Sequence, residues 1–511
     1  MKHSQLVLPL ILTTLMAVSC TKTGDDPLGP NPVIDIGSID VNRMTDLRPS
    51  MLVEPMIWGG TYVDPLMDSI IPGKVVWDST NFAGIDTIPT YCQDKANWYS
   101  YVNFVPLYQD KDVFISRIKS YEDEVELLNP GKLMVFKTWK FVTDVNRGVH
   151  IYDDKDPKNP KKVAFINVPG VLDIALKNQT LYVNAYSALV ALDIADPENA
   201  KVTEFIPQAF PPVYSTGGVL MDSLGNVAVA WRADTTYRCY EYRMYPNYEV
   251  NYLVTDGAIK GNMSSMTAGS SSSTAALGKN GSMSRFAISS DWLYAVDNSA
   301  LRLFKISVDA KPEAGPILET GKWDLETIFR DGSALFIGSM TGMSIYDHSK
   351  GGTPVFASTY SHITSCDPVV VQEGIAYVTL RSGNRCANGK NELNILDVKD
   401  IYHPTLLSVL PMKNPAGLAV EDSTLFVCEG SEGLAVIDVK NPSEPSLLSQ
   451  VTTVEPEDVV IDQGILTLIG PSGIWRMDAA DRTNLLLLSY TESEATVQPT
   501  PYDGPVQIQM D

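Results

Sequence analysis

Histidine and carboxylate side chains are the first candidates for chemistry in this 511-residue chain, but their spacing matches no familiar catalytic site. Apart from His3, the histidines are His150, His348, His362 and His403, and none lies in H-E-x-x-H or zinc spacing. "GSMTG" (338–342) carries Met where a serine hydrolase has its nucleophile, and no phosphate-binding glycine loop occurs. We therefore expect no metal and no cofactor. A carboxylate pair for glycoside cleavage would have to converge from distant segments, so that chemistry stays open.

Aspartate recurs at a regular interval along the chain. The recurring positions are Asp153, Asp193, Asp347, Asp397, Asp438 and Asp478, with Lys305 at the equivalent place in one further unit. Several of these acids open turns such as "DIADPEN" and "DVKNPSEP", in which Asp or Asn caps the turn and Pro pre-sets the backbone. Calcium takes about six to eight oxygen ligands, usually from a Gly-pivoted loop, and no such loop is present. The pattern favours turns over ion sites.

Four short apolar segments accompany each turn, which indicates a repeated four-stranded unit. In one unit they are "AGLAV" (416–420), "TLFVC" (424–428), "GLAVIDV" (433–439) and "SLLSQV" (446–451). Four strands per ~40 residues, repeated, are typical of β-propeller blades. The unusually long step from Asp193 to Lys305 leaves room for one more unit and an insert, and "GGVLMDSLGNVAVAW" (217–231) is the candidate first half of that unit. The sequence predicts an all-β propeller of about eight four-stranded blades, with seven as the alternative.

The third segment of the unit carries a recognisable motif. "LAVIDV" (434–439), "LNILDV" (393–398) and "LVALDI" (189–194) resemble the LVIVD repeat of a family of bacterial β-propeller lipoproteins. The resemblance covers about residues 148–490. It implies the propeller fold but no particular ligand, because that family is defined by its scaffold.

Residues 1–19 resemble a bacterial lipoprotein signal peptide. Lys2 supplies the positive start, and the apolar run from Leu6 to Ala17 is shorter than the ~20 residues that span a membrane. The resemblance implies that Cys20 is lipidated and becomes the mature N-terminus, although Ala17 stands where Leu is usual. Thr21 in place of Asp implies sorting to the outer membrane, and the charged residues that follow imply exposure at the cell surface.

The rest of the chain divides by composition. Residues 20–45 suit a flexible tether, and 46–111 are rich in aromatic residues without a clean period, which predicts an irregular segment packed on the propeller. The propeller is expected over 112–492, with a tail at 493–511. Within it, "DVFISRIKSY" (112–121) is interpreted as a strand that could pair with the last blade and close the ring.

An insert near 232–282 is aromatic in its first half and rich in Ser, Gly and Ala in its second. A long loop inside a compact fold is usually functional or disordered. Stacking on sugar rings or flat ligands makes five aromatic residues candidate ligand contacts: Trp98, Tyr99, Tyr242, Tyr245 and Tyr248. The alternative is that the aromatic residues of the insert form strands of the additional blade.

Five cysteines follow Cys20, and disulfides are allowed in an exported protein. Cys366 and Cys386 flank a predicted hairpin with its turn near Gly374, and the long loop after it could fold back to join them. We predict a Cys366–Cys386 disulfide. The alternatives are two free thiols or a bridge to Cys428.

The formal net charge of −22 repels phosphate backbones and argues against nucleic acid as a partner. We therefore expect a binding or scaffold module held at the membrane by its N-terminal lipid. Such a module could assist outer-membrane uptake of nutrients such as glycans, with a glycan or a protein as its partner. A propeller-fold polysaccharide hydrolase or lyase is the alternative.

Overall fold

The computed structural model describes residues 98–121, 125–211, 226–239, 277–306, 311–322, 325–361, 368–382 and 390–494. Seven antiparallel sheets built on four consecutive strands follow one another along these residues, and their first strands are neighbours around a closed ring. The chain is a seven-bladed β-propeller. The predicted all-β propeller is confirmed, with the smaller of the two blade counts.

Four strands lie outside the four-stranded units: β1 (Trp98–Gln109), β2 (Lys119–Tyr121), β11 (Val227–Cys239) and β12 (Lys279–Asn280). Blade 1 holds β3–β6 (Pro130–Phe136, Trp139–Asp144, Gly148–Asp153, Lys161–Asn167). Blade 2 holds β7–β10 (Ile174–Lys177, Thr180–Ala185, Ala188–Asp193, Lys201–Ile206). Blade 3 holds β13–β16 (Phe286–Ser289, Trp292–Val296, Ala300–Ile306, Pro312–Glu319).

Blade 4 holds β17–β20 (Leu325–Asp331, Ala334–Ser339, Gly342–Asp347, Val355–Ser361). Blade 5 holds β21–β24 (Val369–Gln372, Ile375–Leu380, Glu392–Asp397, Thr405–Pro411). Blade 6 holds β25–β28 (Leu418–Glu421, Thr424–Cys428, Leu434–Asp438, Ser446–Val451). Blade 7 holds β29–β32 (Asp458–Asp462, Ile465–Gly470, Gly473–Asp478, Leu486–Glu492).

The core lies between neighbouring blades. Both faces of the second and third strands are covered, so they read as continuous apolar runs instead of alternating ones. In β27, "LAVID", every residue but the last is buried. Ile437 of this strand packs with Ile395 of blade 5, while Val436 packs with Leu466 of blade 7. Each blade therefore needs both neighbours to complete its core.

The segment predicted to begin an additional blade forms a different structure. Residues 227–239 make up β11, which pairs antiparallel with β1 from Trp98↔Cys239 to Gln109↔Val227. The last part of the segment predicted to be irregular, 46–111, is thus a strand. The long step from Asp193 to Lys305 suggested a missing unit, but between blades 2 and 3 its described part holds only β11 and the axial passage into blade 3, with the short strand β12. The length of this stretch does not by itself distinguish an additional blade from an insert of another structure.

The predicted strand at 112–121 is wrong except for its last three residues, Lys119–Tyr121, which form β2. Residues Lys111–Arg117 form helix α1, capped by Asp110, whose Oδ1 accepts hydrogen bonds from Asp112 N and Val113 N at 2.9 and 3.0 Å. Phe114 and Ile118 are buried beside blades 1 and 2. They are four residues apart, which places both on one face of a helix. Strand β2 follows and pairs with β6 of blade 1, not with the last blade.

Blades 1 and 7 are each built from consecutive strands, so neither takes a strand from the other and the ring closes through contacts between the two blades. Arg476 of β31 forms a buried ion pair with Asp154, which follows β5. The Arg476 guanidinium also lies 5.4 Å from the ring centre of Tyr152 and donates to Thr491 Oγ1 at 3.0 Å. No helix in the described residues is long and apolar enough to cross a membrane.

Candidate functional site at the propeller axis

The centre of the ring is occupied by residues 277–285, here called the axial segment. Leu277 forms a β-bridge with Lys177, the last residue of the first strand of blade 2. The segment then pairs antiparallel with β3, with Lys279 opposite Val135 and Asn280 opposite Met134. Arg285 leads directly into the first strand of blade 3. The axial segment thus passes from the face where the first strands end, the turn face, to the face where they begin, the entry face.

Hydrogen bonds join the axial segment to blades that are far apart in sequence. Gly278 N donates to Leu176 O of blade 2 at 3.0 Å, and Gly281 N donates to Leu133 O of blade 1 at 2.9 Å. Lys279 Nζ reaches Ile461 O of blade 7 at 2.6 Å. Small residues make these approaches possible, because a Cβ on Gly278 would lie 2.5 Å from Met134 Sδ. The segment is a built part of the ring.

Asp458, at the start of blade 7, holds the axial segment at the entry face. Its Oδ1 accepts from Ser282 Oγ at 3.2 Å and from Val459 N at 3.0 Å. The same Ser282 hydroxyl accepts from Leu418 N of blade 6 at 2.8 Å, so one serine links two blades. Asp458 Oδ2 has no hydrogen-bond partner among the described residues and faces Gly281, where a Cβ would lie 1.9 Å from it.

Asp173 plays the same part where blade 2 begins, with blade 1 between it and Asp458. It accepts a hydrogen bond from Arg285 N, and its Oδ1 lies 3.1 Å from Ser284 Oγ. Ile174 N donates to Oδ1 at 2.7 Å. Both carboxylates are therefore engaged by backbone amides and hydroxyls of the chain itself.

Burial governs the ionisation of this polar centre. It raises the pKa of Asp458 to about 6 and raises the pKa of Asp173, although Lys132 opposes both shifts. Burial also lowers the pKa of Lys132, against the attraction of Asp173 and Asp458. Lys132 Nζ donates to Met283 O of the axial segment at 2.5 Å. Two acids and a lysine thus surround a backbone segment in the place where a ligand would need room.

The histidines lie apart from this centre and from one another. His150 is fully buried in blade 1, with Nε2 at 3.2 Å from Asp144 Oδ2 and its ring against Phe165. Burial lowers the pKa of His150. His348 lies in blade 4, His403 bonds Asp400 on the surface of blade 5, and His362 lies outside the described residues. Within those residues no group of three His, Cys, Asp or Glu is placed to hold a metal ion.

The recurring aspartates are turn residues. Each accepts a hydrogen bond from the backbone N–H two residues later, at 2.8–3.0 Å: Asp153, Asp193, Asp347, Asp397, Asp438 and Asp478. This is the Asx-turn geometry that the sequence favoured over an ion site.

The turns between the third and fourth strands also join neighbouring blades. Outer-strand serines donate to a turn carbonyl of the next blade at 2.6–3.2 Å, in the pairs Ser358–Ile401, Ser408–Pro442, Ser449–Arg482 and Ser489–Pro157. The repeat therefore encodes the contact between units as well as the unit.

Most residues predicted to contact a ligand fall outside the described part of the chain. Cys20, Tyr242, Tyr245 and Tyr248 lie there, as do Cys366 and Cys386, so the disulfide stays a prediction. Trp98 and Tyr99 lie in β1, opposite Cys239 and Arg238. The predicted hairpin around Gly374 is present as β21 and β22. Cys428 is a buried free thiol.

Sequence reasoning missed the axial segment. "GKNGSMSR" (278–285) sits in the Ser- and Gly-rich half of the insert and has no strand or helix period. Its lack of bulk is the one signal it offers, because backbone can pass close to backbone only where side chains are small. Asp173 and Asp458 each come at the start of a first strand, but no local pattern shows that they meet the same segment.

The LVIVD repeat model matches residues 416–453, which are the strands of blade 6 and the turns between them. A search of curated protein sequences finds no match. The same blade supplied the clearest form of the motif in the sequence. The match therefore agrees with the architecture that the structure shows.

Solved structures with a similar fold include the periplasmic gluconolactonase PpgL of Pseudomonas aeruginosa, 9% identical, with a TM-score of 0.46, covering 71% of this chain and 97% of that one. A functionally unknown protein from Desulfotomaculum acetoxidans is 10% identical, with a TM-score of 0.43 and coverage of 70% and 95%. Hsv2 of Kluyveromyces lactis is 9% identical, with a TM-score of 0.40 and coverage of 71% and 98%. At these identities the likeness concerns the fold alone. The chain thus carries an LVIVD repeat at residues 416–453 and folds as a seven-bladed β-propeller.

Proposed function

We propose that the protein is a binding or scaffold module, tethered by a lipid on Cys20 to the outer membrane at the cell surface, that assists the uptake of nutrients such as glycans. The observation that carries the proposal is the filled axis. In a propeller the first strands converge on a central channel, where polar groups from several blades could meet a small substrate. Here the axial segment passes through that channel.

The polar groups at the axis support a structural role for this region. Asp173 and Asp458 accept hydrogen bonds from Ser284, Arg285 and Ser282, all within the axial segment or at its end. A catalytic carboxylate has to reach the proton of a substrate. Both carboxylates are buried and accept hydrogen bonds from the chain itself, and the remaining oxygen of Asp458, Oδ2, faces Gly281 of the axial segment.

A polysaccharide hydrolase or lyase is the second candidate, and the raised pKa of Asp458 is the observation in its favour. A carboxyl group with a pKa of about 6 can serve as a general acid near neutral pH. The two functions separate in one experiment with the full chain and Asp458→Asn. Both proteins are applied to a glycan array and incubated with a panel of polysaccharides, from which release of reducing ends is measured.

We expect glycan binding that Asp458→Asn leaves unchanged, and no reducing ends from either protein. Release of reducing ends by the unmodified chain and its loss in Asp458→Asn would establish the enzyme instead. If the protein neither binds a glycan nor releases reducing ends, glycans are excluded as its ligands, and a protein is the remaining proposed partner.

The tether has a separate test. Cys20→Ala removes the acceptor of the lipid, and in sequence it lies far from Pro130, where the first strand of the ring begins. We expect the variant to leave the membrane fraction while keeping the melting temperature of the unmodified protein. Retention of Cys20→Ala in the outer-membrane fraction after a high-salt wash would refute lipid anchoring at this residue.

A further inference from the structure

The outer strands of the blades fall into two groups. Those of blades 1 to 3 carry charge: β6 is "KKVAFIN", β10 is "KVTEFI" and β16 is "PEAGPILE". Those of blades 4 to 7 read "VFASTYS", "TLLSVLP", "SLLSQV" and "LLLSYTE", and their one charged residue is Glu492. We call β20, β24, β28 and β32 together the open wall.

Each strand of the open wall exposes a large apolar side chain at its second residue. These residues are Phe356, Leu406, Leu447 and Leu487, and they are 47–58% exposed. They share one register, because each pairs with the residue before the recurring Asp of the third strand. Single exposed apolar residues are ordinary, but here the same position is exposed and apolar in four consecutive blades, and we call these four residues the apolar band.

The edges of the open wall are also unpaired. Each of its strands ends its sheet, with no further strand beside it among the described residues. Soluble proteins usually protect such edges with charged residues or Pro, because an unprotected edge pairs with other chains. Blades 1 to 3 carry this protection, and the open wall lacks most of it.

The protein already contains an example of what an outer strand can accept. Strand β2 pairs antiparallel with β6 of blade 1, with Ser120 opposite Ile166, as a fifth strand. Ser120 then donates to Pro197 O of blade 2 at 2.6 Å, the blade-to-blade contact that serines of the open wall make. A short extended segment is therefore compatible with the outer edge of a blade.

Charge around the open wall indicates the kind of segment that fits. The turns leading into its four strands, 347–354, 397–404, 438–445 and 478–485, hold seven acidic and four basic residues. At the other end, residues 411–417, 451–457 and 492–494 hold four Glu and one Lys. An apolar band between two acidic borders complements an apolar segment with basic ends. A second copy would bring another net charge of −22 against it.

We infer that the open wall binds an extended segment of a partner protein, with alternating apolar residues and flanking Lys or Arg. The segment adds as a fifth strand to β28 or β32, the two strands of the wall whose far ends carry two Glu each and no Lys or Arg. Backbone pairing would give the affinity, while the apolar band and the acidic borders would select the sequence. This inference rests on the proposed function, since it identifies by its chemistry a partner of the proposed binding module.

The test uses the full chain and a labelled nine-residue peptide in which Val-Thr-Val-Thr-Val stands between two pairs of Lys. A second peptide of the same composition has its three Val residues together. Binding is measured by fluorescence anisotropy for the unmodified chain, for Leu447→Lys combined with Leu487→Lys, and for Ile317→Lys. Ile317 is 52% exposed on the outer strand of blade 3, which makes it a matched control.

We expect the alternating peptide to bind more tightly than its isomer, and the double Lys variant to weaken that binding by about tenfold or more. Ile317→Lys should leave it unchanged, and all three proteins should melt at the same temperature because the substituted side chains are exposed. Failure of the peptide to bind, or equal binding to all three proteins, would overturn the inference. Glycan binding that survives in the same preparation would show that the proposed function still holds.

Two other occupants give distinct results in the same experiment. If the unmodified chain sediments as a dimer and the double Lys variant as a monomer, a second copy covers the wall. If the peptide binds only after residues 495–511 are removed, the chain covers its own wall. Either result would contradict docking of a partner segment.

Discussion

The axis and the outer wall of this propeller reverse the usual placement of polar and apolar groups. At the axis, Asp173, Asp458 and Lys132 lie among the first strands and surround a segment of the chain itself. On the wall of blades 4 to 7, Phe356 and Leu447 are exposed to solvent. Buried charge stabilises only when it is bonded, and exposed apolar surface signals an interaction. The difference indicates that the centre holds the ring together and the periphery meets other molecules.

The largest effect is expected from substituting a buried residue whose cross-strand partner is exposed. Ile437 and Leu447 are cross-strand partners in blade 6, but Ile437 is buried between blades and Leu447 is 58% exposed. Ile437→Asp puts a charge in an apolar site at a cost of several kcal/mol in the free energy of unfolding, so we expect loss of the folded domain. Leu447→Asp is the control and should fold. A soluble Ile437→Asp protein with an unchanged melting temperature would show that the blade assignment is wrong.

The buried ion pair at the closure of the ring has the next largest expected effect. Arg476→Met leaves Asp154 buried without its partner, which should lower the free energy of unfolding by about 3–5 kcal/mol. The matched control is Arg482→Met, whose partner Glu421 is nearer solvent and whose loss should cost about 1 kcal/mol or less. Denaturant unfolding measures both. Equal losses would mean that the ring does not depend on the contact between blades 1 and 7.

The acid at the axis should show itself in the pH dependence of stability. Burial raises the pKa of Asp458 from 3.8 to about 6, so the folded state binds this proton more tightly than the unfolded state does. Its contribution to stability is therefore greatest below pH 3.8, falls as pH rises towards 6 and is constant above that. The total change is at most about 3 kcal/mol, from about 1.4 kcal/mol per pKa unit.

Asp458→Asn removes the titrating group and keeps an oxygen to accept from Ser282. We expect the difference in free energy of unfolding between the two proteins to change between pH 4 and pH 6, in favour of the variant at the higher pH. Denaturant unfolding at half-unit pH steps measures it. A difference that stays constant across this window would show that Asp458 has an ordinary pKa and a solvated carboxyl group.

The repeat was predictable from the sequence because each of its turns and strands is determined by residues close together in the chain. Asp153 and its equivalents fix each turn through their own backbone, and apolar runs such as "LAVID" define strands that are covered on both faces. The number of blades was less certain, because the long stretch between Asp193 and Lys305 can hold a blade or something else. Helix α1 was not predicted because Phe114 and Ile118 are four residues apart. That spacing places both side chains on one face of a strand as well as of a helix.

The centre and the wall could not be predicted in the same way. Gly281 and Asp458 are far apart in sequence, and their contact depends on how seven blades close around one segment. Nothing in "GKNGSMSR" shows that it lies inside a ring. The open wall was visible as uncharged fourth strands, but their exposure depends on the absence of a neighbouring strand. Both features come from long-range packing, which a single sequence does not display.

Hydrogen exchange of the axial segment tests the central claim most directly, because it needs no substitution. Gly278 N and Gly281 N donate to first-strand carbonyls inside the ring, whereas Ser443 N lies in an exposed surface turn. The structure predicts that peptides covering 277–285 exchange as slowly as those covering β3, and far more slowly than those covering 440–445. Exchange of 277–285 as fast as the surface turn would contradict the account, since it would leave the axis of the ring open to solvent and to ligands.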